Sequence, residues 1–241
     1  MKILSIGNSF SDDAQHYLHR LAKHDGVQMK TVNLYIGGCT LRTHYLNMLN
    51  DSVSYPFYFN GESTGLSVSL SQALSSDDWD IVTLQQASHK SPYFASYSPY
   101  LEELAKYVKK YCPHAKVYIH ETWGYENGSV RLEKIGYASM ADMFKDVKVA
   151  YQKAAQTIRA DGVFPCGTAL LTASQNGLAR THRDGFHLSY GAGRYLAALT
   201  WYATLTGNAI SNNNFNDFDE LVSDEERAIV IKAVQAATQK D

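Results

Sequence analysis

The stretch that decides the fold is KILSIGNSFSDD, Lys2 to Asp13. Ile3 to Ile6 read as a short buried strand, Gly7-Asn8-Ser9 breaks it, and Ala14, Tyr17, Leu18, Leu21 and Ala22 then recur at helical spacing. Strand, turn and a single helix carrying His16, His19 and His24 are therefore expected. The alternation continues. Strands are predicted over Lys30–Ile36, which ends at Gly37-Gly38, over Asp80–Leu84, over Lys116–His120 and, more weakly, over Gly162–Phe164. A short helix follows Leu41. Another precedes the fourth strand, with Ser98 as its cap, Pro99 in its first turn and Leu101, Leu104, Ala105 and Val108 on one face. Met143, Val147, Tyr151, Ala154, Ala155 and Ile158 stripe a long helix before the fifth strand. A late helix from Gly191 to about Leu205 is apolar on most sides, and Ser223 with Glu226 forms a capping box that opens the last one. Tyr55–Gly65 reads as an inserted hairpin or loop turning at Asn60-Gly61.

Strands separated by helices of this length need parallel crossovers, hence an open α/β sheet covered by helices on both faces. Ligands in such sheets bind at the carboxyl ends of the strands. The 241 residues, 45% hydrophobic and 19% charged, suit a single domain over 1–241. A net charge of −2, with both signs interspersed, offers no basic face for nucleic acid and no polybasic membrane patch. No apolar stretch reaches the roughly 18 residues of a membrane span. A soluble chain is expected, secreted or periplasmic if a leader has been removed, and no oligomeric state follows. Cys39, Cys112 and Cys166 are odd in number and widely spaced, so free thiols are expected rather than a disulfide framework or zinc site. The 17 tyrosines are read as buried bulk ahead of sugar-stacking surfaces.

Ser9 follows the first strand at the ligand-bearing edge, where it suits a helix cap and a nucleophile equally. An attacking serine needs a base, and that base an orienting partner. Among nine histidines, His187 has the best setting: it lies in RDGFHLSYGAGRYLAAL, three residues after Asp184. An isolated Asp-x-x-His is more often a solvated loop than a catalytic pair.

Together, GNSFS near the start and DGFHLSYGAGRYLA near the end resemble the first and last blocks of the SGNH, or GDSL-like, hydrolases. IGNSFS, YIGGCTL, LQQAS and HETWGY are similar to the DUF4886 branch. The resemblance implies an α/β/α sandwich with a mainly parallel, flavodoxin-like sheet of about five strands. It also implies Ser9 as nucleophile, His187 as general base and acid, Asp184 as its orienter, and an oxyanion hole built from the Ser9 and Gly38 amides. The family's third block contributes an Asn that is absent here. Gln85 is the expected substitute, with Gln86 and His89 as alternatives; Asn8 stands where the GDSL form has Asp, and Ser11, Asp12 or Asp13 is then left to cap the first helix.

His44, Trp123 and Tyr125 are weaker candidates for a substrate pocket, with burial against neighbouring loops an equal expectation. HETW lacks the second His of a zinc-protease motif, so neither a metal nor a cofactor is expected. The implied activity is hydrolysis of short acyl esters, acetyl groups on carbohydrate foremost. The competing expectation is a carbohydrate-binding module on a hydrolase scaffold. Either way the partner is a small-molecule or carbohydrate ester.

Overall fold

The computed structural model describes residues 1–239. In chain order the elements are β1 (Lys2–Gly7), α1 (Ser9–Gln15), α2 (Leu18–His24), β2 (Lys30–Tyr35), α3 (Leu41–Leu49), β3 (Tyr55–Phe59), β4 (Glu62–Val68), α4 (Leu70–Leu74) and β5 (Ile81–Leu84). There follow α5 (Tyr100–Tyr111), β6 (Lys116–Glu121), α6 (Val130–Lys134), α7 (Met140–Ile158), β7 (Gly162–Pro165), α8 (Cys166–Gln175), α9 (Ala192–Thr206) and α10 (Asp224–Thr238).

The sheet runs β4-β3-β2-β1-β5-β6-β7. Its five predicted strands are mutually parallel where they pair and keep the flavodoxin order, with β1 flanked by β2 and β5. Ile3 to Gly7 and all of β5 are buried, as expected of strands covered on both faces. Helix α9 packs on α1, α2, α8 and α10, while α5 packs on α3, α4 and α7; these groups form the two outer layers. One hydrophobic cluster runs through the sheet and both groups.

Three expectations need correction. The Tyr55–Gly65 segment is part of the sheet: β3 pairs antiparallel with β2 and β4 with β3, so among the described residues the sheet has seven strands rather than about five. Asn60-Gly61 makes the expected turn, but spacing alone could not show that β2 had an open edge for the hairpin. The first helix is two, interrupted at His16 and Tyr17, where the Tyr17 hydroxyl bonds Tyr190 O and accepts from Asp219 N–H. Ser98 does not cap α5; its hydroxyl donates to Glu102 Oε1 at 2.7 Å. Helices α4, α6 and α8, the last starting directly after β7, were not anticipated.

The capping box at Ser223 and Glu226 is present, and all three cysteines are free and buried. Seven tyrosines are among the largest fully buried side chains, so much of this aromatic content is core. Among the described residues no helix is long and apolar enough to cross a membrane.

Candidate active site

Strand β1 ends on a glycine because the next turn folds tightly over it: a Cβ at Gly7 would lie 2.0 Å from Ser11 Oγ. That approach lets Ser11 accept the Asn8 N–H at 3.0 Å and reach Asn33 Oδ1 at 2.8 Å. The helix cap is Asn8 itself, whose Oδ1 accepts the Phe10 N–H at 2.9 Å. Ser11 completes the box, whereas Asp12 and Asp13 do no capping. Ser9 thus opens α1, and its amide and hydroxyl stay free for other partners.

Ser9 Oγ lies 2.8 Å from His187 Nε2, and His187 Nδ1 lies 2.7 Å from Asp184 Oδ2. The other Asp184 oxygen accepts the backbone N–H groups of His187 at 2.9 Å and Phe186 at 3.3 Å. Burial pushes the Asp184 carboxyl up, but these hydrogen bonds and the adjacent imidazole outweigh it and hold the group below its ordinary value. An ionised Asp184 fixes the proton on Nδ1, leaving Nε2 to accept from the serine hydroxyl. The chain lies beyond the carboxyl end of β1, at the point where strand order reverses between β1 and β5.

The His187 loop is held from below. Asp13, fully buried one turn after Ser9, takes Arg183 Nη1 and Arg194 Nε on Oδ1, both at 2.8 Å, and Leu188 N–H on Oδ2 at 3.0 Å. Phe10 stacks on Trp123 with ring centroids 4.3 Å apart, and Trp123 Nε1 donates to Phe186 O at 2.8 Å. The Phe186 ring in turn lies 3.8 Å from the His187 ring. Asp13, Arg183 and Arg194 were missed as site supports. All three stand inside the quoted stretches, but nothing in their spacing shows a pairing across 170 to 181 residues.

A cleft of about 320 Å³ opens at Ser9 and His187, with Gly37, Gly38 and Tyr35 on the β2 side. Gly38 adopts φ +64°, the left-handed conformation that favours glycine, and its N–H donates to no backbone or side-chain acceptor among the described residues. The same is true of the Ser9 N–H. Ser88, His89, Tyr125, Arg131 and Phe186 form the opposite side.

Not every anticipated residue reaches this cleft. Gln85 is buried beneath it, donating from Nε2 to Asn8 Oδ1 at 2.8 Å and accepting from His120 Nδ1 at 2.7 Å. Gln86 braces loops: its Oε1 accepts Leu41 N–H at 3.0 Å and its Nε2 donates to Ser96 O at 3.0 Å. Of the three, only His89 lines the cleft. His44 is also away from it, fully buried against Tyr55, and burial pushes its imidazole down to about 3. Trp123 supports the floor, and Tyr125 lines the wall with its hydroxyl 2.9 Å from Ser88 Oγ. Among the described residues no group of three or more His, Cys, Asp or Glu is placed to hold a metal ion.

The family model described as "Domain of unknown function (DUF4886)" matches residues 2–237. A DUF4886 family protein from Bacteroides uniformis has 31% identity and a TM-score of 0.91, covering 98% of this chain and 94% of that one. A candidate SGNH hydrolase from Slackia heliotrinireducens has 26% identity and a TM-score of 0.61, covering 85% of this chain and 98% of that one. A candidate GDSL-like lipase from Parabacteroides merdae, at 16% identity and a TM-score of 0.57 over 86% of this chain and 95% of that one, shares the fold. No curated protein matches the chain.

Proposed function

The chain belongs to the SGNH-like DUF4886 family, and from that membership and the site geometry we propose that it is a serine esterase acting on short acyl esters. The observation that carries the proposal is the unbroken chain from Ser9 Oγ to His187 Nε2 at 2.8 Å and from His187 Nδ1 to Asp184 at 2.7 Å. Ser9 attacks the ester carbonyl as His187 takes its proton, and ionised Asp184 stabilises the resulting imidazolium. The unused N–H groups of Ser9 and Gly38 receive the developing oxyanion. His187 then protonates the departing alcohol, and water, activated by the same imidazole, releases the acyl group.

Gln85 and Gln86 are left out of the proposed oxyanion donors, because both side chains are buried and neither lines the cleft. The cleft volume of about 320 Å³ is at the lower end of the roughly 300–1,000 Å³ typical of small-molecule sites, which favours a short acyl group such as acetyl over a long chain. Acetyl esters on carbohydrate are the proposed natural class.

The test is release of acetate and methanol from a panel of decorated polysaccharides, alongside short-chain nitrophenyl esters, with Ser9→Ala as control. Acetate release that disappears in Ser9→Ala is expected. Sugar binding that survives Ser9→Ala, with no hydrolysis of any ester by the unaltered protein, would overturn the esterase and favour a binding module.

A further inference from the structure

Arg131, on the short helix α6, is the one fully charged side chain lining the Ser9 cleft among the described residues, and no Asp or Glu lines it. Its guanidinium carbon sits 3.7 Å above the centre of the Phe186 ring. Among the described residues it makes no ion pair. An arginine stacked on one face keeps its N–H fork free along its edge, the arrangement that takes a carboxylate with two parallel hydrogen bonds. The wall beside it carries no compensating negative charge: His89 lines the same side, and burial together with Lys90 and Arg131 holds its imidazole below the ordinary histidine value.

The position of Arg131 relative to His187 decides which part of a substrate it meets. In an acyl transfer the base that deprotonates the serine later protonates the leaving oxygen, so the alcohol portion lies on the imidazole side. Phe186 is 3.8 Å from the His187 ring and Arg131 is stacked on Phe186. The unused Ser9 and Gly38 amides mark the position of the carbonyl oxygen. We propose that Arg131 determines specificity for esters whose alcohol portion carries a carboxylate, an acylated acidic sugar being the fitting class. This rests on the esterase reading of Ser9 and His187. The net charge of the chain gives no hint of it, because the selectivity comes from one uncompensated cation and not from a basic surface.

The test compares kcat/KM for O-acetylated glucuronic acid and O-acetylated glucose, and separately for 4-nitrophenyl succinate and 4-nitrophenyl acetate, in the unaltered protein and in Arg131→Gln. The expected result is at least a tenfold preference for the acetylated glucuronic acid, shrinking with added salt and largely lost in Arg131→Gln. The succinate-to-acetate ratio, which puts the anion on the acyl side, should show no comparable Arg131-dependent change. A sugar pair with no preference, or a preference that survives Arg131→Gln, overturns the proposal. So does an Arg131-dependent preference confined to the nitrophenyl pair. If the unaltered protein hydrolyses no ester, the esterase reading fails separately, and calorimetric binding decides: glucuronate binding lost in Arg131→Gln upholds the anion site, whereas no glucuronate binding overturns it.

Discussion

Gln85 Nε2 donates to Asn8 Oδ1 at 2.8 Å, so an amide expected in the cleft instead fixes the residue immediately before Ser9. The same Asn8 oxygen caps α1 through Phe10 N–H, while Asn8 Nδ2 reaches Cys39 O at 3.2 Å, next to Gly38. One side chain therefore ties the loop bearing Ser9 to the loop bearing Gly38. Gln85→Ala should lower the melting temperature, through a lost buried bond worth about 1–3 kcal/mol, and slow turnover less than tenfold. Loss of a true oxyanion donor costs about 10²–10³ in kcat, and a drop of that size would return Gln85 to the oxyanion hole.

Asn8→Asp tests the tie between the two loops. The aspartate can still accept from Phe10 and Gln85, but it offers no donor to Cys39 O and sets an oxygen against that carbonyl. Destabilisation by about 1–3 kcal/mol in a urea melt is expected, with a fall in kcat from the misplaced Gly38 amide. Unchanged stability and kcat would show that the Asn8–Cys39 bond does not hold the loops in register.

Asp13 bears the load beneath His187. Its carboxylate is fully buried and answers Arg183, Arg194 and the Leu188 amide together, so its removal leaves Arg183 with no ion pair among the described residues and Arg194 with only Asp219 at 3.4 Å and Asp12 at 3.9 Å. Breaking a buried pair from one side costs about 3–5 kcal/mol. Asp13→Ala should lose that much in denaturant unfolding, and a loss below about 1 kcal/mol would place the cluster with ordinary surface pairs.

The neighbouring Asp12 gives a pH signature of opposite sign to a usual salt bridge. Burial, aided by Asp13, lifts its carboxyl to about 6 in the folded chain. A folded value above the unfolded one means the folded state binds the proton more tightly, so this group's contribution is fully present below about 4 and lost as pH rises through about 6. Asp12→Asn should therefore raise the melting temperature more at pH 8 than at pH 4.5. An equal shift at both values would contradict the lifted carboxyl.

Asp184→Asn should leave the fold nearly unperturbed, since this side chain is 44% exposed, yet reduce kcat by roughly 10⁴ by removing the acceptor that fixes the His187 tautomer. Steady-state kinetics beside a melt separate the two effects. A loss of stability matching the loss of rate would make Asp184 a structural residue.

What could be read from the sequence followed from how locally each feature is encoded. The parallel strands, late helix and Ser223 cap each show in one window of residues, through buried runs, periodicity or a three-residue spacing. Ser9, Asp184 and His187 are singled out only through the resemblance of GNSFS and DGFHLSYGAGRYLA to the SGNH blocks, since a serine after a strand and an isolated Asp-x-x-His are each ambiguous by themselves; the structure brings the three side chains together. The Gln85–Gln86 pair shows where that ends. Consecutive residues leaving a strand point to opposite sides, so one amide supports Asn8 and the other the Leu41 loop, and sequence order does not say which way either faces. The sheet pairing of the hairpin, the Asp13 cluster and the stacking of Arg131 on Phe186 are all long-range contacts, set by packing after the local elements form.

The most direct measurement is independent of substrate: intact-mass and peptide-level analysis after treatment with a fluorophosphonate, which traps a serine activated by an adjacent base. The account predicts a single adduct on Ser9, absent in Ser9→Ala and formed at least about 10³-fold more slowly in His187→Ala. No adduct on the unaltered protein, an adduct on another serine, or equally fast labelling without His187 would contradict it.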